Sequence, residues 1–258
     1  MRRFQLFEFE DFEWFPKIIR DGGTDFLGFV LNHLKYYEPA IKIIEDVVLK
    51  TKYHQIVDLC SGNGYPIALV NNKLDPDLKV TYFLTDKFPN LAAFEHLKST
   101  SEGIIDYSHE PLDIIHDTIS IKGIRTMFTA IHHFNAEDVK RILTNAVNDQ
   151  EPIAIFDGGN KNLGSILAIL IAHPILFLIF TPFIKPFKWN RLLFTYLIPL
   201  IPLYAIWDGI VSILRLHTPD ELLHYAQTAD VNKGFTWSSG KVRNSIGFSI
   251  AYLVGIPN

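Results

Sequence analysis

The sequence predicts an α/β fold: a mainly parallel sheet with helices on both faces and an antiparallel hairpin at one edge. Three observations carry this expectation. Short apolar runs alternate with helix-periodic segments between residues 55 and 156, the mark of strands connected through helices. The first run leads into a glycine turn, Cys60-Ser61-Gly62-Asn63-Gly64. Two strand-like segments close the chain, Thr236–Ser238 and Ser245–Val254, with a turn around Ser239-Gly240 between them. That connection is too short for a crossover helix, so the pair is antiparallel.

Taken in order, residues 1–50 read as helical, punctuated by Pro16 and Gly22-Gly23, with Phe26, Leu27, Val30, Leu31 and Leu34 at helical spacing. Gln55–Leu59 is the first strand and Tyr65–Leu74 the helix after it. Lys79–Leu84 is the second strand and Pro89–Leu97 the second helix. Arg125–Ile131 and Pro152–Phe156 are further strands, separated by a helix over Ala136–Val147 that Asn135 opens as N-cap. Residues 162–207 interrupt the alternation. Leu163–Ile184 carries no charge apart from a titratable His173; Lys185, Lys188 and Arg191 follow, and Leu192–Trp207 is apolar again.

Composition narrows the class. Hydrophobic residues make up 48% of the 258 and charged residues 20%, which excludes a disordered chain. With 24 basic against 28 acidic residues the net charge is −4, so no nucleic-acid partner is expected. The mean hydropathy of +0.14 and the 20 Phe and 10 Tyr point to a rich core or to surface that meets lipid or a lipophilic ligand. The single cysteine, Cys60, rules out an internal disulfide and a multi-cysteine metal site, and it suits a reducing compartment. The first residues lack a continuous apolar stretch, so no cleaved signal peptide is expected.

The glycine turn carries the chemistry. Gly62 and Gly64 permit a tight bend and close approach of a ligand to the backbone. The residues after Gly64 are Tyr65-Pro66-Ile67, so the third glycine of the dinucleotide fingerprint is missing, which weighs against a nicotinamide oxidoreductase. The second strand ends in Leu84-Thr85-Asp86, where a carboxylate can accept hydrogen bonds from ribose hydroxyls. The plainer alternative is that Asp58 and Asp86 only cap helices.

Val57-Asp58-Leu59-Cys60-Ser61-Gly62-Asn63-Gly64 resembles motif I of class I S-adenosylmethionine-dependent methyltransferases, and Leu84-Thr85-Asp86-Lys87-Phe88-Pro89-Asn90 is similar to their acidic second motif. Arg125–Phe134 and Pro152–Asp157 fall where the family's fourth and fifth strands fall, and the closing Trp237 and Ala251–Pro257 region resembles a little-characterised bacterial branch. The resemblance covers about residues 50–160 and 218–258, and it departs from the family at Cys60, which stands where motif I has its first glycine. It implies one Rossmann-like domain over 1–258, with a mainly parallel sheet of about seven strands. An N-terminal helical lid over 1–50 and a hydrophobic helical insertion over 160–217 complete the expected organisation.

The implied cofactor is S-adenosyl-L-methionine. On the family's pattern Ser61, Gly62 and Gly64 line its methionine and ribose parts, and Asp58 holds the loop or the cofactor's amino group. Asp86 takes the ribose hydroxyls, Lys87 or Phe88 lies against adenine, and Asp113 in Leu112-Asp113-Ile114 meets the adenine amino group.

Transfer from a sulfonium needs an in-line nucleophile held close, and a base where the acceptor must lose a proton. In an open parallel sheet the crevice lies at the carboxyl ends of the strands. His132, His133 and Asp157 fall at two such ends and are the candidate catalytic residues, either imidazole serving as base; the alternative for each histidine is a bond to loop backbone. Thr129 lines the cofactor side of the site. His109, Glu110 and His116 invite a metal reading, but Pro111 breaks any helix that would align them, so no metal site is assigned. The aromatic start, Phe4 to Phe15, with Trp14, Tyr36 and Tyr37, is read as a cofactor lid or as ordinary packing.

Leu163–Ile184 is long enough for a bilayer span, yet one crossing would strand the closing hairpin on the wrong side. Three readings stand: a cap enclosing an apolar chamber, a monotopic element with Lys185, Lys188 and Arg191 on lipid phosphates, or a buried helix pair. The sequence therefore anticipates methyl transfer to a small hydrophobic or lipid-like acceptor, with substrate choice in the insert. The expected location is cytoplasmic, with peripheral contact at the inner face of the membrane through 163–207. The competing classes are a non-catalytic lipid- or membrane-binding protein on the same fold and an NAD(P)-dependent oxidoreductase.

Overall fold

The computed structural model describes residues 3–258. Four short strands form the centre of a seven-stranded sheet: β1 (Gln55–Asp58), β2 (Thr81–Leu84), β4 (Ile124–Phe128) and β5 (Ile153–Gly158). A three-residue β3 (Ile105–Tyr107) lies at one edge and the long hairpin β6 (Phe235–Arg243) and β7 (Ser249–Pro257) at the other. The order is β3-β2-β1-β4-β5-β7-β6, with β7 antiparallel to both neighbours and every other pair parallel. An antiparallel strand beside β5 departs from the all-parallel dinucleotide-binding order.

Because strand residues alternate between faces, Ile56, Phe128 and Ala154 enter one core while Val57, Met127 and Ile155 enter the other. The first core is covered by α2 (Glu38–Thr51), α3 (Tyr65–Lys73) and α4 (Leu91–Thr100), the second by α5 (Ala136–Asp149) and α9 (Pro219–Ala229). Asn135 caps α5 by accepting from the N–H groups of Glu137 and Asp138. Thr218 caps α9 in a reciprocal capping box with Glu221.

A third apolar cluster joins α1 (Lys17–His33) to the insert. The insert runs as α6 (Leu163–Phe180), a loop, α7 (Trp189–Leu192) and α8 (Leu200–Arg215), with a 78° bend before α8. Phe26 of α1 stacks on Phe177 of α6 at 3.5 Å. Gly22 and Gly23 do not punctuate the N-terminal helix. They lie inside α1, where a Cβ on Gly22 would come within 2.4 Å of Ile201 and one on Gly23 within 1.6 Å of Tyr204. Their smallness lets α8 sit directly on α1.

Two further expectations are corrected. The closing turn is at Asn244–Phe248 instead of Ser239-Gly240. Gly240 stays in the strand because its cross-strand partner Tyr252 fills the space where a side chain would stand. The His109–His116 stretch, which follows β3, forms a loop. Lys188 and Arg191 turn inward and end on buried Asp25 at 2.8 and 2.5 Å, so neither is free to meet a lipid phosphate. Lys185 alone of that trio stays exposed.

Candidate active-site crevice

The sheet order reverses between β1 and β4, where their carboxyl ends diverge and leave room for a ligand. A crevice of about 530 Å³ opens there, within the range of small-molecule sites. The glycine turn forms its floor. Ser61 N–H donates to Thr85 O, and Ser61 Oγ donates to Asp58 O at 3.0 Å. Cys60, Gly62 and Gly64 all adopt positive φ, at 56°, 58° and 73°. A cysteine in that region carries strain a glycine would not. A Cβ on Gly62 would meet nothing within 4 Å, whereas one on Gly64 would strike Leu84 and Leu97. Gly62 therefore faces the crevice, and Gly64 serves helix packing.

Asp86 is the best-placed acid. Gly62 N–H donates to its Oδ2 and Phe88 N–H to its Oδ1, each at 2.7 Å. Burial pushes its carboxyl up, and these two donors oppose the shift. Each oxygen keeps a lone pair for a hydroxyl of a ligand. Lys87 binds Asp113 at 3.0 Å. Burial would raise the Asp113 carboxyl, but Lys87 and the Ile115 N–H outweigh it and hold it below the usual range. Lys87, Phe88 and Asp113 all line the crevice, and the Arg20 guanidinium covers one face of Phe88 at 3.8 Å.

Asp58 lies behind the floor and does not line the crevice. It is buried and accepts from Thr126 Oγ1 at 2.6 Å, and burial raises its carboxyl to about 7. Its place is with the loop-holding role. Thr129 lines the crevice at φ 50° and hydrogen-bonds Tyr37 Oη.

The two adjacent histidines have different surroundings. His132 is buried, with Nδ1 at 2.9 and 3.1 Å from the oxygens of buried Asp157. A carboxylate accepts only, so Nδ1 carries the proton and Nε2 is left as the acceptor. His133 lines the crevice and meets Asp11 at 2.8 Å and Glu8 at 3.3 Å. Burial alone would lower its pKa; Glu8, Asp11 and Glu10 override that and raise it to about 10. A histidine held as imidazolium at neutral pH does not serve as general base, which leaves His132 as the candidate for that role. Its ring lies 4.5 Å from that of His133.

The acids around His133 belong to an N-terminal strap, residues 4–16, that the sequence reading flagged only for its aromatics. Arg215 of α8 ties it down, binding Asp11 at 2.7 Å and Glu8 at 3.3 Å. Asp208 accepts from the N–H groups of Phe9 and Glu10 at 2.9 and 3.1 Å. Burial and then Asp208 raise Glu10 to about 8, and burial raises Asp208 to about 7. Arg20, Glu10, Asp11 and Arg215 thus line the crevice and are site residues that sequence reasoning missed, whereas Tyr37, an expected lid residue, is buried behind Thr129. The alternation of Phe with Glu and Asp over residues 7–13 was the available signal.

Among the described residues one grouping brings three metal-capable side chains together, Glu8, His132 and His133, with ligand atoms within 4.8 Å of one another. Arg215 and the His133 imidazolium already place two positive charges on Glu8. His109 and His116 do not join this grouping: His109 packs on Tyr107, and His116, on the crevice wall, pairs with Asp113. The insert contributes to the crevice only Arg215. Helix α6 forms no chamber over it, contrary to the cap reading.

No family model and no curated protein matches the chain. Solved structures do resemble it. An O-methyltransferase family 2 protein from Planctomyces limnophilus, in complex with apigenin, is 13% identical with a TM-score of 0.52, covering 92% of this chain and 64% of that one. The plantazolicin methyltransferase BpumL, in complex with SAH, is 13% identical with a TM-score of 0.52, covering 92% and 87%. An O-methyltransferase family protein from Burkholderia thailandensis is 12% identical with a TM-score of 0.50, covering 90% and 58%. The chain thus spans less than two thirds of the length of two of these three. The likeness establishes the fold, the Rossmann-like class I methyltransferase sheet.

Proposed function

We propose that the protein transfers a methyl group from S-adenosylmethionine to a small hydrophobic or lipid-like acceptor. The observation that carries the proposal is Asp86: a carboxylate at the end of β2, bound to the Gly62 N–H, on a crevice at the sheet's switch point. The residues fit the cofactor. Gly62 presents a bare backbone to open space, Asp86 keeps lone pairs for the ribose hydroxyls, and Asp113 stands in reach of the base's end of the crevice. Bound there, S-adenosylmethionine supplies an electrophilic methyl on a sulfonium.

The remaining chemistry belongs to the chain. Asp157 holds the Nδ1 proton of His132, and His132 Nε2 takes the proton from an acceptor hydroxyl as it attacks. The His133 imidazolium, paired with Asp11, sets a positive charge beside the nascent oxyanion. Glu8 of the strap lies beside buried His132, so the acceptor reaches His132 Nε2 only once the strap gives way. Leu27, Leu31, Phe128 and Phe134 supply apolar wall for a hydrophobic acceptor.

Calorimetric titration with S-adenosylmethionine and its demethylated product tests the assignment. Binding by the parent protein and its loss in Asp86→Ala support it; no binding by the parent protein overturns it. Lipid binding without cofactor affinity would favour the non-catalytic alternative, and NADH binding the oxidoreductase.

A further inference from the structure

Helix α6 presents an outer face of Leu163, Leu167, Ile171, Ile175 and Leu178, all exposed, with Ile171 at 65%. The apolar surface continues over the loop and the bent α7–α8 segment through Phe183, Trp189 (77% exposed), Leu197 and Leu203. It reaches the strap at the Phe7–Trp207 contact, 5.3 Å between rings, where Phe4, Phe7 and Trp14 are also exposed. Soluble surfaces seldom leave apolar patches larger than a few hundred Å² without a partner.

We infer that this face docks on a lipid bilayer, with α6 lying in the membrane plane. The inference concerns location and is independent of the methyl-transfer chemistry. Both ends of α6 are fixed to the same domain. Its start follows β5 directly, with Gly159 against Ile213 and Leu216. Its end is held by Phe177 on Phe26, by buried Thr181 and Ile184, and by the Arg191–Asp25 pair. A helix tied down at both ends on one side cannot cross the bilayer. Its 18 residues, about 27 Å of helix, therefore lie along the surface.

Two features select lipid over protein. Protein interfaces surround an apolar centre with a polar rim and place hydrogen-bonding groups across it. The outer face of α6 offers none over its whole length, and no charged residue occurs between Lys161 and Lys185. Aromatic side chains that favour the headgroup boundary, Trp189, Tyr196 and Trp207, flank this face. Because Asp25 occupies Lys188 and Arg191, docking rests on apolar insertion, without a need for anionic lipid. The strap's inner side carries Glu10 and Asp11 into the crevice while Phe4, Phe7 and Trp14 face outward with α8. A bilayer-borne molecule thus arrives beside the mouth of the crevice.

Flotation of the full chain with neutral phosphatidylcholine vesicles, at low and high salt, tests this. The protein floats in both salts. Ile171→Glu combined with Ile175→Glu reduces the floating fraction at least tenfold, and Leu49→Glu, exposed on α2 away from the insert, does not. Thermal melts establish that both variants fold. Failure to float, flotation by the double variant, or binding only to anionic vesicles and reversed by salt overturns the inference. So does a stable dimer of the parent protein that the double variant dissociates without any vesicle binding, which would make a second copy the occupant.

Discussion

His132 Nδ1 lies 2.9 Å from Asp157 Oδ1, and both side chains are almost wholly buried. This contact, with the Thr129 N–H bond to Phe156 O, joins strand β5 to the turn after β4. Asp157→Asn keeps the shape but removes the acceptor that fixes the imidazole tautomer. The methyl-transfer rate should fall by about 10²–10⁴-fold, the usual contribution of a positioned base. Calorimetry should show cofactor affinity unchanged, since neither residue lines the crevice.

Asp86→Ala removes the acceptor of two backbone N–H groups, from Gly62 and Phe88. Beyond loss of cofactor binding, the variant should lose about 1.5–3 kcal/mol of stability, the usual worth of hydrogen bonds to a charged acceptor. Urea denaturation measures it. Asp86→Asn, which keeps one acceptor, should be milder on both counts.

The strap gives the protein a specific pH dependence. Glu10 at about 8, Asp208 at about 7 and Asp58 at about 7 are raised, chiefly by burial, from ordinary carboxyl values of ~4. Such groups take up protons on folding, so stability falls as pH rises from about 4 through about 8. His133, raised to about 10 by its acidic neighbours against the opposing effect of burial, contributes stability that is full below about 6.5 and lost as pH rises through about 10. Tm should therefore decline from pH 5 to pH 9. Glu10→Gln should flatten the part of that decline below pH 8, and an unchanged slope would remove Glu10 from the account.

Asp25→Ala leaves Arg191 buried and without its carboxylate. Breaking a buried pair from one side costs about 3–5 kcal/mol, and here it also releases the loop that ends α6. A lower Tm should accompany new protease cleavage between Thr181 and Arg191.

Cys60 is the sole cysteine and lines the crevice on the glycine turn. Burial, and then the nearby Asp86, push its thiol well above the ordinary range, so alkylation at neutral pH should be slow. S-adenosylmethionine or its demethylated product at ten times Kd should slow it about tenfold more. Equal rates with and without ligand would place the cofactor elsewhere.

The central strands were legible because β1, β2, β4 and β5 are continuous apolar runs followed by turns or capped helices, signals that local chemistry supplies. β3 escaped because three residues are too few to show a period. The hairpin turn was misplaced because Gly240 resembles a turn residue until Tyr252 is seen opposite it. Asp86 and the glycine turn were readable as candidates because strand and turn fix their positions locally. The separation of His132 from His133 was not, since it depends on Glu8 and Asp11, more than a hundred residues away in sequence. The inward turn of Lys188 and Arg191 depends likewise on Asp25.

Gly22 and Gly23 give the insert a fixed seat. A methyl group on either would displace Ile201 or Tyr204, and Tyr204 Oη also donates to Glu10 of the strap at 3.1 Å. Insert, strap and first helix therefore pack as one unit. A relative lacking the insert would have no reason to keep paired glycines in that helix. A graft of the insert onto another methyltransferase-like sheet would need the first helix and strap to travel with it.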